Sequence, residues 1–88
     1  MSHKVIGLDV GGANLKVAST DGIAITRPFE LWKHPKQLAD ELRRLASEIG
    51  RFEWIALTMT GELCDCFENK RTGVRHILAA ARDAFYRP

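Results

Sequence analysis

Asp9, Gly11, Gly12 and Lys16 fall within one short stretch, VIGLDVGGANLKVAS (5–19), whose residue types suit it to hold an anion. Adjacent glycines can take positive φ and carry no Cβ, so a ligand can approach the backbone closely. The amides of Gly11, Gly12, Ala13 and Asn14 can then be aimed at a phosphate. Asp9 offers a carboxylate where the first apolar run ends, and Lys16 a cation just beyond the turn. A second set lies in TGELCDCFENKRT (60–72). There Glu62 and Asp65 offer the hard oxygen donors that Mg²⁺ prefers. Lys70 and Arg71 offer positive charge for an anion, next to a helix N-terminus. Cys64 and Cys66 offer two thiols.

Each set also has a plainer reading. Two glycines between apolar runs make ordinary hairpins, and a turn Asp often bonds its own backbone. Glu62 and Asp65 can be solvated loop charges, as can Lys70 and Arg71. The first stretch lacks GxxxxGK[ST], and its glycines lead into a strand-like run, so neither a P-loop nor a dinucleotide fingerprint applies. One residue between Cys64 and Cys66 strains an intrachain disulfide, so both thiols are expected to be reduced. A zinc site would need further ligands, and His3, His34 and His76 are not at finger spacing. His76 reads as a boundary residue of the last helix.

Positioning these groups takes a small α/β unit. Val5, Ile6 and Leu8 favour a strand. On the next strand Leu15, Val17 and Ser19 alternate with Lys16, Ala18 and Thr20, which sends Lys16 to the face away from its apolar neighbours. Asp21-Gly22 turns the chain into a third antiparallel strand, Ile23 to Trp32, interrupted near Pro28. His34-Pro35 opens a helix over Lys36 to Ile49, with Leu38, Leu42, Leu45 and Ile49 inward and Gly50 as its stop. Phe52 to Met59 returns to the sheet parallel to the first strand by a right-handed crossover, and its apolar continuity predicts burial on both faces. A last helix, Gly73 to Tyr86, is capped by Thr72 and buries Val74, Ile77, Leu78, Ala81 and Phe85. The order β-β-β-α-β-α gives a mixed sheet in the order 3-2-1-4. Parallel strands one and four then bring Asp9 and the 60–72 segment to one edge, where open α/β sheets bind ligands. Strand four is left as a bare edge, a surface for pairing.

The chain has 88 residues, 45% of them hydrophobic, enough for one small core and one domain over 1–88. A formal charge of +2 and the absence of a basic, aromatic-interleaved patch argue against nucleic acid. No apolar run approaches the ~18 residues of a membrane span, and no signal-peptide core is seen, so a cytoplasmic protein is expected.

The element order together with DVGGANLK resembles the opening half-lobe, ribonuclease H-like, of the acetate and sugar kinase, heat-shock ATPase and actin superfamily. Ala13 stands where sugar kinases commonly carry threonine. TMTGELCDCFENKRTGV (58–74) and GLDVGGANLK are similar to segments of the hydantoinase/oxoprolinase-like proteins of methanofuran- and tetrahydromethanopterin-linked C1 metabolism, with Gly61 in place of the usual alanine. Archaeal members are assigned the joining of an aminomethylfuran diphosphate to γ-glutamyltyramine, with release of pyrophosphate. The resemblance implies that Asp9, Gly11, Gly12 and Lys16 contact a diphosphate, or the phosphates of ATP, through Mg²⁺. It also implies an amino-terminal fragment lacking the second lobe, inactive alone. Readings of another class are a self-associating or partner-binding module using strand four, or a small thiol-dependent metal chaperone.

Overall fold

The computed structural model describes residues 3–64 and 66–85. The chain runs β1 (Val5–Val10), β2 (Asn14–Ser19), β3 (Ala24–Pro28), a 3₁₀ turn (Pro35–Gln37), α1 (Leu38–Ile49), β4 (Trp54–Met59), a second 3₁₀ turn (Gly61–Leu63) and α2 (Lys70–Phe85). The fold is α/β, with one mixed sheet in the expected order β3-β2-β1-β4. β1 is antiparallel to β2 and parallel to β4.

Period-two patterning decides which face is covered. Ile6, Leu8 and Val10 of β1 and Leu15 and Val17 of β2 are buried in one core with Leu38, Leu42, Leu45 and Ile49 of α1 and Ile77, Ala81 and Phe85 of α2. Full burial of each large aliphatic side chain stabilises by about 1.5–3 kcal/mol. α1 stops at Gly50, whose φ of 82° only glycine adopts easily. Gly22 turns β2 into β3 at φ 98°, as the Asp21-Gly22 pair predicts.

Several local expectations are corrected. β3 ends at Pro28, and Phe29 and Leu31 leave the sheet to plug the core, while Trp32 is exposed. The helix expected from Lys36 opens as the 3₁₀ turn and becomes α-helical at Leu38. α2 begins at Lys70 rather than Gly73; its cap is Asn69, whose side-chain oxygen accepts the Thr72 amide at 2.9 Å, and not Thr72. Its buried stripe runs through Gly73, Ile77, Ala80, Ala81 and Phe85, which leaves Leu78 on the flank and exposed. β4 is not buried on both faces: Trp54, Ala56 and Thr58 are exposed, because the core lies on one side of the sheet only.

Candidate functional site

Strand register assembles the first part of the site. Asp9 pairs with Lys16 on β2 and with Thr58 on β4, and Lys16 pairs with Thr26 on β3. Thr26, Lys16, Asp9 and Thr58 thus form one polar row on the face opposite the core, and Thr58 Oγ1 donates to Asp9 Oδ1 at 3.3 Å. The neighbouring row is Ala24, Ala18, Gly7 and Ala56. Its small side chains leave an open trough of about 440 Å³, with the polar row along one margin. Lys16 is exposed and Asp9 half-buried.

At the hairpin apex the Gly11 amide donates to the Asn14 carbonyl at 3.0 Å. The Gly12 and Ala13 carbonyls accept from the Leu31 and Phe29 amides at 3.0 and 2.9 Å. The segment that left the sheet after β3 therefore fastens the apex from behind. Neither Gly11 nor Gly12 uses positive φ, contrary to expectation; among the described residues only Gly22 and Gly50 do. Gly11 is instead a point of close approach, where a Cβ would stand 3.3 Å from the Asn14 carbonyl oxygen and 3.6 Å from Thr60 Oγ1, whereas open space surrounds Gly12.

The ends of β1 and β4 meet as the topology requires. The Thr60 amide donates to the Val10 carbonyl at 3.0 Å. A Cβ on Gly61 would lie 3.3 Å from the Gly11 carbonyl oxygen and 2.6 Å from Leu31 Cδ2. Glu62 follows directly. It is only 8% exposed, and its Oε2 is buried with no hydrogen-bond partner among the described residues. Asp65 lies outside the described residues. Among those described, no group of three or more His, Cys, Asp or Glu could hold a metal ion. Lys70 and Arg71 are exposed in the first turn of α2. The Thr72 amide beside them is taken by Asn69. Cys64 and Cys66 bring their sulfurs to 3.1 Å. His76 Nε2 lies 2.6 Å from the Pro35 carbonyl oxygen, joining α2 to the first 3₁₀ turn.

Sequence reading missed Thr58, Thr26 and Gly73. The two threonines are set beside Asp9 and Lys16 by strand pairing, a long-range outcome, although their alternation with Ala56 and Ala24 was a usable signal. Gly73 looked like a helix start; within α2 it is the place where the 3₁₀ turn at Gly61–Leu63 comes against the helix.

No protein-family model matches the chain, and no solved structure does. A curated protein does match: the (4-{4-[2-(gamma-L-glutamylamino)ethyl]phenoxymethyl}furan-2-yl)methanamine synthase of Methanocaldococcus jannaschii, 33% identical over 91 residues. The match takes in 100% of this chain and 27% of that protein, so the chain spans about a quarter of its relative's length. Along all of its sequence, the chain is similar to part of a synthase whose product is a phenoxymethyl-furan amine.

Proposed function

We propose that this chain is the diphosphate-binding portion of a C1-pathway synthase that makes the same phenol–furan ether linkage as its archaeal relative, on an actin-like ATPase fold completed by a second lobe. It is inactive alone. In the reaction a phenol oxygen attacks the methylene carbon of a furan diphosphate; the new C–O bond forms as the bond to diphosphate breaks, and the phenol proton passes to a base. The group to be stabilised is the departing pyrophosphate. Within this chain that task falls to the Gly12 and Ala13 amides at the apex and to the Lys16 ammonium, as donors to an anion. Gly11 cannot share it, since its amide closes the hairpin. The observation that carries the reading is the Gly11–Gly61 junction, which sets the hairpin against the turn bearing Glu62.

Glu62 fits a cation. A buried carboxylate oxygen without a donor is costly, and a hard divalent ion would relieve it. Asp9, with water, would supply the other oxygen ligands. Bound Mg²⁺ would neutralise diphosphate charge. Lys70 and Arg71 add positive potential from the start of α2. Titration of the chain with pyrophosphate and Mg²⁺, followed by amide chemical shifts, tests this. Shifts centred on Gly12, Ala13 and Lys16 at millimolar ligand are expected, lost in Lys16→Met. Glu62→Gln should abolish the Mg²⁺ dependence while leaving metal-free binding. Absence of any shift at the apex would reject the reading.

A second reading is favoured by β4 itself. This edge strand exposes 67% of Trp54 and 37% of Ile55. Such an edge pairs readily with a second copy. Sedimentation should then show a dimer that Trp54→Lys dissociates; a monomer at high concentration would refute it.

A further inference from the structure

We propose that Cys64 and Cys66 form a reversible dithiol–disulfide pair that takes up oxidising equivalents from a low-molecular-weight disulfide such as oxidised glutathione. They are the chain's two cysteines. Both are half-buried rather than sealed, and both line a cavity of about 480 Å³ with Gly12, Trp32 and Leu63. Their sulfurs stand 3.1 Å apart. A disulfide bond is about 2 Å long, so closure needs about 1 Å of approach. The separation also argues against zinc, for which the described residues supply no further ligands. In the exchange, the thiolate of one cysteine attacks a sulfur of the glutathione disulfide and expels one glutathione thiolate. The neighbouring thiolate then displaces the second glutathione. One S–S bond forms and one breaks; the pair loses two protons and two electrons, and two glutathione thiols result. The ring closed by a single intervening residue is strained, so the bond is easily reduced again.

Oxidation would be felt at the hairpin. The one S–H of Cys66 is within reach of Cys64 Sγ and of the Leu31 carbonyl oxygen, the latter at 3.6 Å. Leu31 in turn donates its amide to the Gly12 carbonyl at 3.0 Å. Disulfide formation removes the donor to Leu31, the residue that fastens the apex. The inference does not rest on diphosphate binding, and its test uses no phosphate. The full chain is equilibrated in glutathione buffers from reducing to oxidising, quenched with acid, alkylated and mapped by mass spectrometry. Expected are joint protection of Cys64 and Cys66 with a mass loss of two hydrogens, full reversal by excess reduced glutathione, and amide shifts at Gly12 and Leu31. Cys64→Ser and Cys66→Ser should each instead retain a glutathione adduct on the remaining cysteine. Persistent glutathione adducts on the unaltered chain, disulfide-linked dimers, or unchanged alkylation across the series would each overturn the proposal.

Discussion

At the scale of single residues, the site turns on glycines whose purpose is space. An exchange of Gly61 for alanine is one that sequence reasoning treats as harmless. Here a Cβ would stand 2.6 Å from Leu31 Cδ2, inside contact distance, and 3.3 Å from the Gly11 carbonyl oxygen. Leu31 is fully buried, so its methyl can yield only by repacking. Gly61→Ala should therefore cost about 1 kcal/mol, at the low end of overpacking, and read out as a lower urea midpoint with an unchanged slope. The face that Lys16 occupies was legible because strand alternation is local. The conformation of Gly11 was not legible. Positive φ is what an isolated glycine pair suggests, whereas the close neighbours Thr60 and Asn14 depend on a strand pairing that only the folded chain supplies.

At the scale of elements, α2 shows how a tertiary contact overrides propensity. Alanine is worth about 1 kcal/mol more than glycine inside a helix, so Gly73 is a weak choice by local rules. Its Cβ would lie 2.6 Å from the Glu62 carbonyl oxygen, 2.8 Å from Glu62 Cα and 2.9 Å from Phe67 Cδ2. Two of these are backbone atoms and cannot rotate away. Gly73→Ala should cost about 3 kcal/mol in overpacking against that gain, a net loss of about 2 kcal/mol. Thermal unfolding should show Tm falling by roughly 10 °C, and a rise in Tm would refute the packing argument. Sequence reading found both helices and the inward stripe of α1, since four leucine and isoleucine positions at helical spacing leave little choice. Local pattern starts α2 a turn late because Lys70 and Arg71 read as loop charges, and because the Asn69 cap shows only in its bond from the Thr72 amide. β3 is shorter than its alternation suggests for a related reason. Phe29 and Leu31 keep the alternation of a strand, yet their amides go to the carbonyls of the hairpin apex.

At the scale of the whole molecule, the one-sided sheet concentrates its fastening charges where sheet and helix meet. Lys4, at the foot of β1, donates to the Ile49 carbonyl at 2.6 Å and pairs with Asp21 at 3.0 Å, tying the end of α1 to the β2–β3 turn. Arg27 of β3 pairs with Glu48 at 2.7 Å and Glu41 at 3.4 Å on α1. The Ser19 hydroxyl, then Lys4, hold the Asp21 carboxyl below its ordinary pKa; Arg27 does the same for Glu48. Both carboxylates are charged more readily folded than unfolded. Their contribution is thus present above the unfolded carboxylate value and is lost as pH falls through the lower, folded value. Both groups are solvent-exposed, so the effect is small and screened by salt. Denaturation midpoints measured from neutral pH down through the carboxylate range should fall, and fall less in high salt. In the Asp21→Asn, Glu48→Gln double variant the acid-induced drop should shrink, because neither clamp remains to be protonated. A double variant whose pH profile parallels that of the parent would mean that the clamps between sheet and α1 contribute nothing measurable.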